Sequence, residues 1–275
     1  MPELPEVETT RRGIATIMPG HVLERFVVHE PRMRWPIPAD LPDRISGRTV
    51  LACERRGKYL LINFDHGTQI IHLGMSGSLR RTPQNEPRRK HDHAEWIFGH
   101  ARFLLHDPRR FGAVLWHDAA DGPIAAHPLL ATLGIEPFDE RFTPDYLYGK
   151  LRGKTLSIKQ ALLAGHIVVG VGNIYASEAL FRARINPRTP AGTVSRARCA
   201  ALAAAVRQTL SEALESGGST LRDYVNATGQ PGAYFEMHAA VYEKAGQACI
   251  ECSTPIRRIV QGQRASYFCP KCQRR

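Results

Sequence analysis

Val7, Thr10, Ile14 and Ile17 recur at helical spacing, with Glu6 and Glu8 ahead of them and Gly20 behind. Acidic residues in a first turn and a glycine stop favour a helix, here over residues 5–18. From residue 22 to 117 the period changes to short β-branched and aromatic runs. These predict strands near 22–29, 48–56, 58–64, 68–73, 93–98, 101–106 and 112–117. Asp65-His66-Gly67 and Gly99-His100 separate neighbouring runs as hairpin turns do. Several short strands at this spacing predict a β-sandwich. Thr82–Lys90 is polar, basic and Pro-containing, and reads as a mobile loop. Residues 119–142, rich in Ala, Pro, Gly and Asp, read as a connection between domains. Beyond it helical periodicity predicts helices at 143–151, 157–165, 173–183 and 195–215, the last with Ser195 as N-cap and Gly217-Gly218 as stop. Residues 216–234 lose periodicity and read as a long loop, a class that is often functional.

A chain of 275 residues, 43% hydrophobic, buries a substantial core and has room for two domains. Lys and Arg number 37 against 26 Asp and Glu, a net charge of +11 that suits a polyanionic partner, most simply nucleic acid. No run of 18 apolar residues and no basic-then-apolar start is present, so the expectation is a soluble protein of the cytoplasm with no membrane partner. Four of six cysteines form a paired pattern near the C-terminus. Cys53 and Cys199 sit in strand-like and helix-like runs and read as buried, reduced thiols.

The first residues carry the most specific chemistry. Removal of Met1 would leave Pro2 as an N-terminal secondary amine beside Glu3. An α-amino group has a pKa of about 7.7–8, so roughly a tenth of it is nucleophilic at neutral pH, far more than for lysine. Attack on a carbonyl-level carbon gives a Schiff base. From proline that adduct is a cationic iminium, an electron sink, and Glu3 is placed to move the protons.

Cys249-x2-Cys252 and Cys269-x2-Cys272 supply four thiolates with the spacing of a structural Zn²⁺ site, closed and therefore not catalytic. Six Lys and Arg against one acid over 249–275 imply a β-hairpin zinc finger that lays cations on phosphates. The glycines of Val168–Tyr175 precede a helix start, where backbone N–H groups can approach a phosphate, or where two helices simply pack closely. Asn173 can cap that helix or donate to the same phosphate. Lys58 heads an apolar strand, a place where lysines are usually just solvated. Met75 and Phe111 singly fit ordinary core positions. With Arg109 they form the set needed to wedge open a base stack. His91, His93 and His100 lack metal-ligand spacing.

Pro2–Glu6, Ile71–Gly77, Lys90–His93, Asp107–Gly112, Val169–Glu178 and the four-cysteine finger, in that order across nearly the whole chain, resemble bacterial formamidopyrimidine-DNA glycosylase. The resemblance implies an α+β fold: an N-terminal helix on an antiparallel β-sandwich (1–118), a linker (119–142), a helical helix-two-turns-helix domain (143–240) with a lesion loop at 216–234, and a C-terminal β-hairpin zinc finger (241–275). It implies a monomeric, bifunctional base-excision enzyme, at work at the nucleoid, that removes 8-oxoguanine and formamidopyrimidines from double-stranded DNA. Carried over, Pro2 attacks C1′, Glu3 shuttles protons, Lys58 assists β-elimination and Arg264 δ-elimination. Met75, Arg109 and Phe111 fill the gap left by the flipped nucleotide, His91, Lys154 and Asn173 hold DNA, and the 216–234 loop covers the extruded purine.

Two other readings compete. The endonuclease VIII-like sister group, which acts on oxidised pyrimidines, typically has Gly where this chain has Leu4 and lacks the long loop. A non-enzymatic zinc-finger DNA-binding protein accounts for the charge and cysteines but leaves Pro2, Glu3 and the wedge set idle. A zinc deaminase is excluded, because its metal needs an open position and a signature absent here.

Overall fold

A computed structural model describes residues 2–219 and 232–274. The chain divides into two compact units, Met1–Ala131 with Ser216–Ala233, and Thr132–Glu215 with Tyr234–Arg275. No helix among the described residues is long and apolar enough to cross a membrane.

The first unit begins with α1 (Leu4–Ala15). Its strands are β1 (Val22–Leu23), β2 (Arg25–Val28), β3 (Arg48–Thr49), β4 (Ala52–Arg56), β5 (Tyr59–Phe64), β6 (Gly67–His72), β7 (Ser78–Thr82), β8 (Asp92–Phe98), β9 (Ala101–His106) and β10 (Ala113–Asp118), with the short helices α2 (Leu41–Ile45) before β3 and α3 (Pro128–Ala131) after β10. Two four-stranded antiparallel sheets result, ordered β10-β6-β5-β4 and β2-β8-β9-β7. Their facing side chains, among them Leu60, Ile62, Ile71, Trp96 and Phe103, form one core that also takes in Val7, Ile14 and Met18. The buried Trp96 indole N–H donates to the buried Gln69 side chain on the other sheet at 2.8 Å. An unpartnered polar group there would be costly, so this bond fixes how the sheets face each other.

Strand β7 is absent from the sequence expectation. Ser78-Leu79-Arg80-Arg81-Thr82 has one large apolar residue, and periodicity does not mark it. Leu79 enters the sandwich core, and the buried Arg80 beside it is ion-paired: it meets Asp92 at 3.0 Å and Glu86 at 2.9 Å. The same network reaches into the 82–90 loop. Glu86 is also held by Arg89 at 3.1 Å, and its carbonyl accepts from Arg102 at 2.6 Å. The Arg89 N–H donates to Asp92 at 2.8 Å.

In the second unit α4 (Pro144–Leu151), α5 (Ile158–Leu163), α6 (Asn173–Arg182), α7 (Arg196–Glu215) and α8 (Tyr234–His238) precede the hairpin β11 (Arg257–Gln261) and β12 (Arg264–Phe268). Thr143 caps α4 and Ser157 with Gln160 forms a capping box on α5, satisfying N–H groups that helix starts leave orphaned. Arg207 on α7 donates to the carbonyls of Pro137, Asp139 and Phe142. A Cβ at Gly134 would collide with the Ile167 carbonyl, so residues 134–142 are packed chain rather than a free connection. The buried Glu178 carboxylate accepts the N–H groups of Ala240, Val241 and Tyr242 at 2.8, 3.0 and 2.8 Å. Burial pushes its pKa up even against those three donors.

The half of α1 away from the core is tied down by Glu8, which accepts from Arg11 at 2.8 Å and Arg55 at 3.1 Å. Burial acts to raise the Glu8 pKa, but the bonds and charges of Arg11 and Arg55 outweigh it and hold the carboxyl below its ordinary 4.5. A lowered folded pKa contributes stability that is complete above 4.5 and lost as pH falls through the folded value. Glu8→Gln should therefore cost about 1 kcal/mol at pH 7 by urea unfolding. The gap to the unsubstituted protein should close as pH falls below 4.5; a gap independent of pH would show that charge is not what Glu8 contributes.

Candidate active site

Chain ends fray unless something holds them. Here Pro2 is buried and Glu3 is the N-cap of α1, only 1% exposed. Glu3 and Glu6 form a reciprocal capping box, with the Glu3 N–H donating to Glu6 Oε2 at 2.7 Å. The other Glu6 oxygen accepts the N–H of Ser219 at 2.6 Å. One buried carboxylate thus joins the N-terminus to the start of the 216–234 segment. The sequence marked Glu6 only as a first-turn acid, because its second partner lies 213 positions away. Residues 220–231, most of the expected lesion loop, lie outside the described residues.

Lys58 occupies a turn rather than a strand start. Arg56 pairs with Tyr59, leaving Gly57-Lys58 as a two-residue hairpin turn with Gly57 at φ +57°. The register sets Tyr59 opposite His72, at the same end of the sheet. Burial, then the charges of Lys58 and Arg34, push the His72 pKa down to about 4, so its ring is neutral at physiological pH. His72 Nδ1 accepts the N–H of Gly74 at 3.0 Å. Arg34 had no role in the sequence reading. The basic and aromatic run Arg32-Met33-Arg34-Trp35 was its only signal.

The three residues expected to form a wedge lie on two adjoining corners. Met75 lies on the β6–β7 connection, and Arg109 and Phe111 on the β9–β10 connection, both of which pass from one sheet to the other. A Cβ at Gly74 would strike Phe111 and Gly112 backbone, so the two corners touch. Met75 is 42% and Phe111 43% exposed, which removes the ordinary-core reading of both. The Arg109 guanidinium sits 4.9 Å from the Phe111 ring centroid, a cation–π contact that orders a long side chain. Beneath them the buried Asp107 accepts from Ser76 Oγ at 2.9 Å and Gly112 N–H at 2.7 Å. His91, half-buried, lies beside the rings of His93 and His106. Desolvation, then the neighbouring His106, Lys90 and His93, lower its pKa.

The second unit carries Lys154, Asn173 and Arg264. Lys154 is exposed between α4 and α5. Asn173 is the first residue of α6, whose N-cap is Gly172, so the helix-cap role expected of Asn173 falls to the glycine. The Asn173 amide donates to the Ala265 carbonyl at 3.0 Å, next to Arg264. Arg264 is exposed at the start of β12, directly after the tight turn Gly262-Gln263, whose φ values of +53° and +62° suit a two-residue hairpin. Lys159 is a residue the sequence reading missed. It is 1% exposed, and its ammonium donates to Ala265 O at 2.9 Å and Ser266 Oγ at 2.8 Å. A lone lysine on a short amphipathic helix reads as solvated; only the hairpin's arrival buries it.

Cys249, Cys252, Cys269 and Cys272 place their sulfur atoms within 4.8 Å of one another. Cys252 and Cys269 are 3.5 Å apart and Cys249 and Cys272 3.9 Å. Tetrahedral Zn–S bonds of about 2.3 Å separate sulfurs by ~3.8 Å, so the set fits one closed, structural Zn²⁺.

Comparison with known proteins agrees along the whole length. Residues 1–114 match the formamidopyrimidine-DNA glycosylase N-terminal domain, 133–225 the H2TH domain of the same glycosylase, and 246–275 a zinc finger found in FPG and IleRS. The formamidopyrimidine-DNA glycosylase of Bordetella pertussis is 70% identical over 275 residues, covering all of both chains. A single-substitution mutant of the Lactococcus lactis FPG, solved in complex with a Fapy-dG containing DNA, superposes with a TM-score of 0.92 at 32% identity, covering 100% of each chain. The MutM (FPG) protein of Thermus thermophilus gives 0.88 at 38% identity, over 99% of this chain and 98% of its own.

Cys252→Ser should abolish stoichiometric zinc, read by atomic absorption. It should weaken duplex-DNA binding roughly tenfold or more, as several phosphate contacts are lost with the hairpin. Unchanged zinc content with unchanged affinity would refute the structural-zinc assignment.

Proposed function

The chain belongs to the formamidopyrimidine-DNA glycosylase family and is a base-excision repair glycosylase, and we propose that it removes oxidised purines through a covalent adduct on Pro2. Its partner is damaged double-stranded DNA, met in the cytoplasm at the nucleoid. The observation that carries the chemical reading is the held N-terminus: Pro2 buried, Glu3 buried beside it, and Glu6 fastening both to the folded body. Burial disfavours the charged ammonium, which keeps a larger share of an N-terminal amine nucleophilic.

A base inside a duplex is out of reach, so the nucleotide is flipped out at a cost of a few kcal/mol of unstacking. Met75, Arg109 and Phe111 enter the gap, and phosphate contacts from His91, Lys154 and Asn173 offset the cost. The Pro2 nitrogen, freed as a secondary amine by removal of Met1, then bonds to C1′, the glycosidic bond breaks, and the base departs with its electron pair and a proton. Glu3 moves that proton. The nitrogen then loses its proton, its lone pair breaks the C1′–O4′ bond, and the freed O4′ takes a proton. The resulting iminium at C1′ acidifies the 2′ hydrogen. Lys58 assists its removal, and the C3′–O bond breaks with loss of the 3′ phosphate. Arg264 assists a second elimination that breaks C5′–O. Zn²⁺ holds the finger's shape and takes no part in these steps. The 216–234 segment, whose described start is fastened through Ser219 to Glu6, is the cover for the extruded purine in this reading.

Borohydride trapping on a duplex with one 8-oxoguanine should give a protein–DNA band mapping to residue 2 and missing in Pro2→Gly. A band formed only with an oxidised pyrimidine would move the activity to the sister group; no band on any lesion, with binding intact, would end the enzyme reading. Glu3→Gln should bind the lesion yet excise it at least about 100-fold more slowly, the scale of a lost proton-transfer group. Normal excision would remove Glu3 from the mechanism.

A further inference from the structure

The three wedge side chains sit on two separate sheet-to-sheet corners, so something must hold those corners in register. Asp107 is fully buried and touches both. Oδ1 accepts the hydroxyl of Ser76 at 2.9 Å, next to Met75 on one corner, and Oδ2 accepts the N–H of Gly112 at 2.7 Å, next to Phe111 on the other. Its own backbone joins in. The carbonyl accepts the Arg110 N–H at 3.1 Å and is bonded by His93 Nε2 at 2.8 Å. Arg110, between two wedge residues, has φ +53°, a left-handed conformation that a non-glycine residue holds only when its surroundings impose it. Gly112 leaves no room for a larger residue: a Cβ there would lie 2.8 Å from His72 O and 3.0 Å from Asp107 Oδ2.

We infer that Asp107 is a positioning residue that locks Met75 to Arg109 and Phe111, so that the wedge enters the duplex as one preformed body. The inference rests on the wedge reading of those three side chains. A buried, doubly bonded carboxylate beneath an exposed apolar pair makes sense on this ground. The cost of ordering Met75 and Phe111 is met on folding rather than on binding, which leaves more of the binding energy for unstacking. Alanine at position 107 removes both corner bonds, whereas asparagine could keep both, its amide N–H donating to the Ser76 hydroxyl.

Single-turnover excision on 8-oxoguanine and strand cleavage at a pre-formed abasic site separate positioning from general damage, since the abasic nucleotide is already unstacked. Asp107→Ala should lower excision at saturating protein roughly tenfold or more, the effect of at least one lost bond to a charged acceptor. Abasic-site cleavage should change less than about threefold, as little unstacking is left to drive there. A 2-aminopurine beside the lesion should report a smaller unstacking signal. Ser76→Ala, which removes one bond and leaves the carboxylate, should shift both readouts the same way by less, and it carries the test if Asp107→Ala does not fold. Equal losses on both substrates, or none on either, in the folded variants would overturn the inference. Met75→Ala is the control for the underlying reading. If it shows the excision-specific loss and the Asp107 and Ser76 variants do not, the clamp fails and the wedge stands; if it shows none, the wedge reading itself fails.

Discussion

Everything proposed for this protein depends on fixing an end of the chain. A secondary amine is a useful nucleophile only if it is held, and termini are the least ordered parts of most domains. The solution is a carboxylate with two partners. Glu6 accepts Glu3 N–H and Ser219 N–H from inside the protein, while Leu4, Val7 and Ile14 bury the apolar face of α1. Neither part suffices alone. Apolar contact fixes which face of the helix lies down but tolerates small slides, whereas two short bonds to one buried acceptor do not.

The sandwich supplies the second constraint. β6 and β9 each leave their sheet at the same end, and antiparallel pairing sets the Gly57-Lys58 turn, His72, the Met75 corner and the Arg109–Phe111 corner around that end. Groups from four separate stretches of sequence become neighbours through register alone. Burial and charge then shape what register has gathered: burial, helped by Lys58 and Arg34, keeps His72 neutral, and Asp107 bridges the two corners without reaching the surface.

The second unit follows the same logic with lysine in place of aspartate. A hairpin with a tight two-residue turn presents Arg264 outward, while Lys159 and Asn173 grip the neighbouring carbonyl of Ala265 from behind. Four thiolates at tetrahedral spacing give the hairpin its base. Small, polar, strongly basic segments bury too little apolar surface to fold unaided, so the metal and the buried ammonium do what a core would otherwise do.

The sequence by itself determined a good deal. The α1 pattern, the apolar strands, the four helices beyond residue 143, the cysteine spacing and the ordered set of motifs were all legible, because each is a local signal read within about twenty residues. What it could not determine were the polar contacts made at long range. β7 went unseen because Leu79 is its one large apolar residue and the Arg80 beside it is buried by ion pairs, and nothing local to 82–90 showed its partners Arg80, Asp92 and Arg102, which lie on β7, β8 and β9. Glu6, Asp107 and Lys159 looked like ordinary charged residues. Only the tertiary structure decided that they are buried and which groups they join, since a charge leaves water only where the fold brings several donors or acceptors to one place.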